Sequence, residues 1–237
     1  MENRHYSLIT IKILLILIIV LYFSFLYIDI LNPQLIRLSD SLKFTSIILC
    51  FTVSILGKEN VFDTVNIKLL QIGLFFTVVA DLFLLTIDSY YILGVGAFCI
   101  VQIIYSVRYD IESWKITVRN ITIILVIILI AFIITNLLFI KIDLLIMIAI
   151  FYGICLLISV IKAIKTYTHR LYPKPNGIMV AIGMILFLLC DINVALYNIF
   201  GIINITDGLL YNISLISIWL FYLPSQVLLA LSGMDFN

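Results

Sequence analysis

Two aspartates, Asp81 and Asp191, stand inside runs that otherwise have the apolar character of membrane spans, Ile67–Ile87 and Gly177–Tyr197. An ionisable side chain at that depth costs at least ~2.5–3.5 kcal/mol on insertion scales, so it faces a protein interior or a wet cavity rather than lipid. Desolvation favours a neutral acid, and two neighbouring carboxyls resist ionising together. One neutral acid beside one carboxylate is the arrangement used for acid–base chemistry. Asp81 and Asp191 are therefore the candidate catalytic pair. The competing reading is packing alone, with each acid hydrogen-bonded to a neighbouring helix.

Other polar residues within apolar runs are candidate substrate contacts. Thr77 and Asp88 fall on the helix face of Asp81, and Asn198 on that of Asp191, with Asn193 further round. Lys43 opens the span Leu42–Leu56, where it either snorkels to headgroups or reaches inward toward the acids or a substrate phosphate. Gln102, Tyr105 and Ser106 share one face of the fourth span, a pattern that also serves as interhelical glue. Trp219, Tyr222 and Gln226 lie beside Pro224, which leaves the carbonyl of Leu220 without its helical donor and predicts a kink. Cys50, Cys99, Cys155 and Cys190 all fall in apolar runs without zinc-site spacing and read as small hydrophobes. His5 and His169 lie outside the spans. There is no Ser-His-Asp order, Walker loop or paired-histidine zinc motif, so neither a metal nor a cofactor is expected.

The elements that must hold these residues follow from composition. The chain has 237 residues, 64% hydrophobic and 11% charged, against about 25% charged in soluble domains. It reads as an integral membrane protein surrounded by membrane lipids. A net charge of +1 lacks the basic face that nucleic acid requires. Windows of about 19 residues give eight spans: Leu8–Ile28, Leu42–Leu56, Ile67–Ile87, Ile92–Val107, Ile121–Phe139, Leu144–Ile161, Gly177–Tyr197 and Leu209–Leu231. The runs are continuous rather than alternating, which selects helices over a β-barrel. The first is too long for a signal-peptide core and lacks a small-residue cleavage site, so a retained helix is expected.

With eight spans, eleven of the 14 lysines and arginines fall on one side: Arg4, Lys12, Lys58, Lys68, Arg108, Lys115, Arg119, Lys162, Lys165, Arg170 and Lys174. Only Arg37, Lys43 and Lys141 fall on the other. The positive-inside rule then places both termini in the cytoplasm. The expected fold is all-α, a polytopic eight-helix transmembrane bundle forming a single domain over 1–237. In that topology the third and seventh spans run the same way, and each aspartate lies six residues before the end of its span. At 1.5 Å per residue both carboxyls sit roughly 9 Å below the outer boundary, where they can meet across a shared cavity.

Nearly the whole chain resembles the YhhN-like membrane proteins, whose characterised animal members are lysoplasmalogenases. The resemblance rests on Lys43, on VVADLFLL around Asp81, on LGVGAFCIVQIIY through Gln102 and Tyr105, on LFLLCDINVAL around Asp191, and on the terminal WLFYLPSQVLLALS. The departures are Phe44 in place of the family's proline, Ala80 for glycine, Gln102 for histidine and Cys190 for serine. Where members rely on that histidine, Gln102 implies weaker activity or another substrate.

The resemblance implies hydrolysis of the vinyl ether of a lysophospholipid. Asp81 and Asp191 would be catalytic, with Lys43, Gln102, Tyr105, Tyr222 and Gln226 binding the substrate. Two rival readings remain open from the residues themselves. One is a proton-coupled transporter of lipid or small molecules, in which the acids relay protons. The other is a non-enzymatic lipid-binding membrane protein. Richness in Ile, Leu, Lys and Asn is the composition of an AT-rich bacterial genome, which suggests a bacterial plasma membrane.

Overall fold

The computed structural model describes residues 2–57, 61, 63–205 and 208–235. Lys58, counted above on the basic side, lies outside the described residues, as do the side chains of Arg4 and His5. Eight helices follow one another: α1 Glu2–Leu31, α2 Ile36–Leu56, α3 Thr64–Asp81, α4 Tyr91–Arg108, α5 Trp114–Leu138, α6 Leu144–Thr168, α7 Lys174–Ile202 and α8 Leu209–Leu231. All eight are long and apolar enough to cross a membrane, and the protein is an integral membrane protein. Helices are what the bilayer permits, because hydrocarbon offers no partner to a free backbone N–H or C=O.

Each expected span corresponds to one helix, and the differences lie at the ends: Leu82–Ile87 falls past the end of α3, and Phe139 past the end of α5. The 3-10 turn Pro33–Leu35 leads straight into α2, which starts six residues before the hydropathic run because Arg37, Ser39 and Asp40 are polar yet helical. Asp63 and Asp143 accept from the backbone N–H of Val65 and Leu145 and so cap α3 and α6. On α3 the α-helical pattern stops at Asp81, and one π turn covers Leu82–Thr86, with Ile87 N–H reaching Leu82 C=O at 2.9 Å. This turn rotates the chain away, so Asp88 does not share the face of Asp81. It lies beyond the helix at φ 48° and accepts from the Tyr91 hydroxyl at 2.6 Å.

Helix α8 is the centre of the bundle. It packs along α7 and also meets α1, α2 and α3, while α4 lies between α3 and α6. Helices α1 and α5 present most of their large apolar side chains outward, as lipid-facing helices do. Pro224 sits within an unbroken α8, and the Leu220 carbonyl it leaves free accepts from the Tyr22 hydroxyl of α1 at 3.1 Å. Tyr105 lies directly on Gly73, where any Cβ would collide with its ring, so α3 and α4 approach closely.

At the basic end, Arg108 is 1% exposed. Its guanidinium donates to Asn66 Oδ1 from Nε at 3.0 Å and Nη2 at 2.9 Å, and from Nη2 to Ser232 Oγ at 2.9 Å. Asn66 donates in turn to the Tyr172 hydroxyl, which donates to the Arg108 carbonyl at 2.6 Å. Asn176 donates to the carbonyls of Ser232 and Met234. One guanidinium thus ties α3, α4 and the end of α8 together, with the α6–α7 connection joined through Tyr172. Hydrogen bonds to a charged group contribute about 1.5–3 kcal/mol each. Asn66→Ala is therefore expected to lower stability by about 2–3 kcal/mol, read as a fall in the thermal midpoint in detergent; an unchanged midpoint would remove this network from the account.

Candidate active site

Asp81 is 4% exposed and takes a hydrogen bond from the Tyr222 hydroxyl at 2.7 Å across the α3–α8 contact. Tyr222 is itself held edge-on by Trp219, Phe187 and Phe98, with ring centroids 5.2, 5.7 and 6.3 Å away. Such contacts fix a ring's orientation as well as burying area, so the hydroxyl is presented to the carboxyl in one geometry. The π turn follows immediately after Asp81, and such turns recur at functional sites.

Asp191 is half-buried. It accepts from the Tyr152 hydroxyl of α6 at 2.5 Å, and the Tyr152 hydroxyl also lies against Gln102 of α4. Ser159 donates to Gln102 Oε1 at 2.6 Å. The two acid–tyrosine pairs are neighbours: Phe98 lies 6.3 Å from the Tyr222 ring and 6.0 Å from that of Tyr152. Cys190 lies close to both carboxyls, which are near enough to interact electrostatically.

Lys43 is 6% exposed, so it does not snorkel. Its ammonium forms ion pairs with Asp29 of α1 at 3.1 Å and Asp40 at 3.2 Å, and lies 5.4 Å from the centroid of the Trp219 ring. The Ser39 hydroxyl donates to the second oxygen of Asp29. A continuous line of contacts therefore runs from Lys43 through Trp219 and Tyr222 to Asp81. Tyr105 is fully buried, with its hydroxyl beside Thr77, one helical turn below Asp81. Gln226 is fully buried and its amide meets no partner among the described residues. Two surface grooves, one lined by Phe51, Lys68, Gln71 and Phe75 and the other by Tyr90–Leu93 with Asp143 and Leu145, touch neither aspartate.

A family model described as the YhhN family matches residues 38–233. The chain belongs to the YhhN family. No curated protein and no solved structure matches it. The YhhN match begins after α1, so Asp29, one of the two acids on Lys43, lies outside the matched segment, whereas both candidate catalytic acids, Lys43, Gln102, Tyr105, Tyr222 and Gln226 lie within it.

Sequence reasoning missed Tyr152, Asp29 and Asp40. Tyr152 had one usable signal, a hydroxyl in the interior of an apolar helix. The two acids stand near helix ends, where charge is ordinary; Asp40 is three residues before Lys43 on the same helix, a spacing that brings side chains together, but nothing in the sequence joins Asp29 to Lys43. Removing a cation from two partly buried carboxylates strands them. Lys43→Met is expected to cost about 2–3 kcal/mol, and adding Asp29→Asn to restore part of it. Chemical unfolding of the single and double variants checks this, and simple additivity would show that the pair is not coupled.

Proposed function

We propose that this YhhN-family protein is a lysoplasmalogenase-like hydrolase that cleaves the vinyl ether of a lysophospholipid by acid catalysis from Asp81 and Asp191. The observation that carries the reading is the pair of intramembrane carboxyls, each held by a tyrosine hydroxyl from another helix and joined through Phe98. Vinyl ethers resist base but yield to acid. Proton transfer to the vinyl carbon remote from oxygen makes an oxocarbenium ion, and water adds to the carbon bonded to oxygen. Loss of a proton gives a hemiacetal. Its collapse breaks the carbon–oxygen bond, releasing a fatty aldehyde and the glycerophospho alcohol, so one water is consumed and no net proton.

In this mechanism one carboxyl donates the proton, while the other stabilises the cation and activates water, as paired acids do in glycosidases. The pair acts as a unit. Tyr222 and Tyr152 position the two carboxyls. Gln102, standing where the resemblance expects histidine, orients Tyr152 and transfers no proton itself. Lys43 has two carboxylates on its ammonium and keeps its remaining N–H for the substrate phosphate. Both termini lie in the cytoplasm, as the basic side indicates, and the membrane is the bacterial plasma membrane.

The test is aldehyde release from a lysoplasmalogen by the purified protein. Asp81→Asn and Asp191→Asn are each expected to lower kcat at least about 100-fold while retaining the fold. Full activity in either variant would take that residue out of the mechanism. Proton-coupled uptake with no lipid product would favour a transporter instead.

A further inference from the structure

We propose that Gln226, Ser225 and Ser106 line an internal water column that joins Asp81 to the Arg108 network at the basic end and supplies the water consumed at the carboxyl pair. The supply role rests on the hydrolase reading; the column itself does not.

Three fully buried side chains carry the argument. Among the described residues, Gln226 has neither amide nitrogen nor amide oxygen bonded, and the Ser225 and Ser106 hydroxyls likewise meet no partner. A polar group withdrawn from water without a compensating bond costs several kcal/mol, and hydrocarbon offers no replacement. Folded proteins meet such demands with ordered water, which needs two to four polar partners and room to sit.

Register places these groups in a line. The Tyr222–Asp81 bond sets α8 against α3, and the two helices run in opposite directions. Four residues along α8 from Tyr222 to Gln226, and four back along α3 from Asp81 to Thr77, both descend about 6 Å toward the basic end. Gln226 and Ser225 therefore stand at the level of Thr77, whose hydroxyl lies beside that of Tyr105. Ser106 lies further down, two residues before Arg108. Small side chains lie along this stretch: Cys50 is close to both Asp81 and Tyr105, and Thr77 and Ala80, on the turn of α3 that leads to Asp81, are fully buried.

The base of the line is Arg108, a buried cation with no carboxylate in ion-pair contact among the described residues. A fixed positive charge at the mouth of a narrow polar path repels hydronium and metal cations while passing neutral water. The path thus delivers water to the acids without short-circuiting a proton gradient across the membrane.

Hydroxyl-radical footprinting of the protein in lipid nanodiscs tests this without reference to activity, because radicals generated from internal water oxidise the side chains beside it. Tyr105 and Phe25 are both fully buried. Tyr105 is expected to be oxidised at least tenfold faster than Phe25, and Gln226→Leu or Ser106→Val to slow its oxidation several-fold. In the aldehyde assay Gln226→Leu is expected to lower kcat about tenfold with KM unchanged. Protection of Tyr105 to the level of Phe25 overturns the column whatever the enzyme assay returns. Rapid oxidation of Tyr105 in a protein that releases no aldehyde supports the column and removes only the reaction assigned to it.

Discussion

A polar group inside a bilayer must find its partner within the protein, and the arrangement of these helices follows from that demand. Asp81 finds Tyr222, 141 residues away in the chain. Asp191 finds Tyr152. Lys43 finds Asp29 and Asp40, and Arg108 finds Asn66 and Ser232. Even the carbonyl released by Pro224 is taken up by Tyr22. Apolar packing gives little preference for one helix neighbour over another when lipid tails are equally apolar. These polar pairings supply the specificity.

Helix α8 collects most of them. Trp219 meets Phe25 of α1 and Lys43 of α2, Tyr222 meets Asp81 of α3, and Ser232, just past the end of α8, meets Arg108 of α4. The helix therefore links the charged cluster around Lys43, the buried carboxyl of Asp81 and the Arg108 anchor along a single axis. The chemistry proposed for the site depends on this rigidity, because proton transfer to carbon requires a fixed donor. Tyr222 is restrained by three aromatic neighbours, and Asp81 ends a regular helix against a π turn.

Much of this was legible from residue order. The eight spans were readable because hydrophobicity averaged over a turn or more of sequence is a local property, and each corresponds to one membrane-length helix. That Asp81 is buried was also accessible, whereas for Lys43 the residues left snorkelling and an inward reach both open. Asp88 was misplaced because a helical periodicity extrapolated past Asp81 runs through a π turn that no residue type announces. Tyr152 and Asp40 carried only weak signals, a hydroxyl inside an apolar helix and an i,i+3 spacing to Lys43, and Asp29 carried none. For Tyr152 and Asp29 the importance lies in which helix they meet, and neither spacing nor hydropathy encodes that.

The residue order alone determined that this chain lives in a membrane, how many times it crosses, and that two acids cannot face the lipid. Those conclusions rest on transfer free energies, which each segment carries with it. Only the tertiary structure decided who answers the acids, that Lys43 is already engaged by two carboxylates, and that the Gln226 amide is buried without a partner. Such facts depend on the rotation of each helix about its axis and on contacts between residues far apart in the chain, and these exist only once the helices have packed.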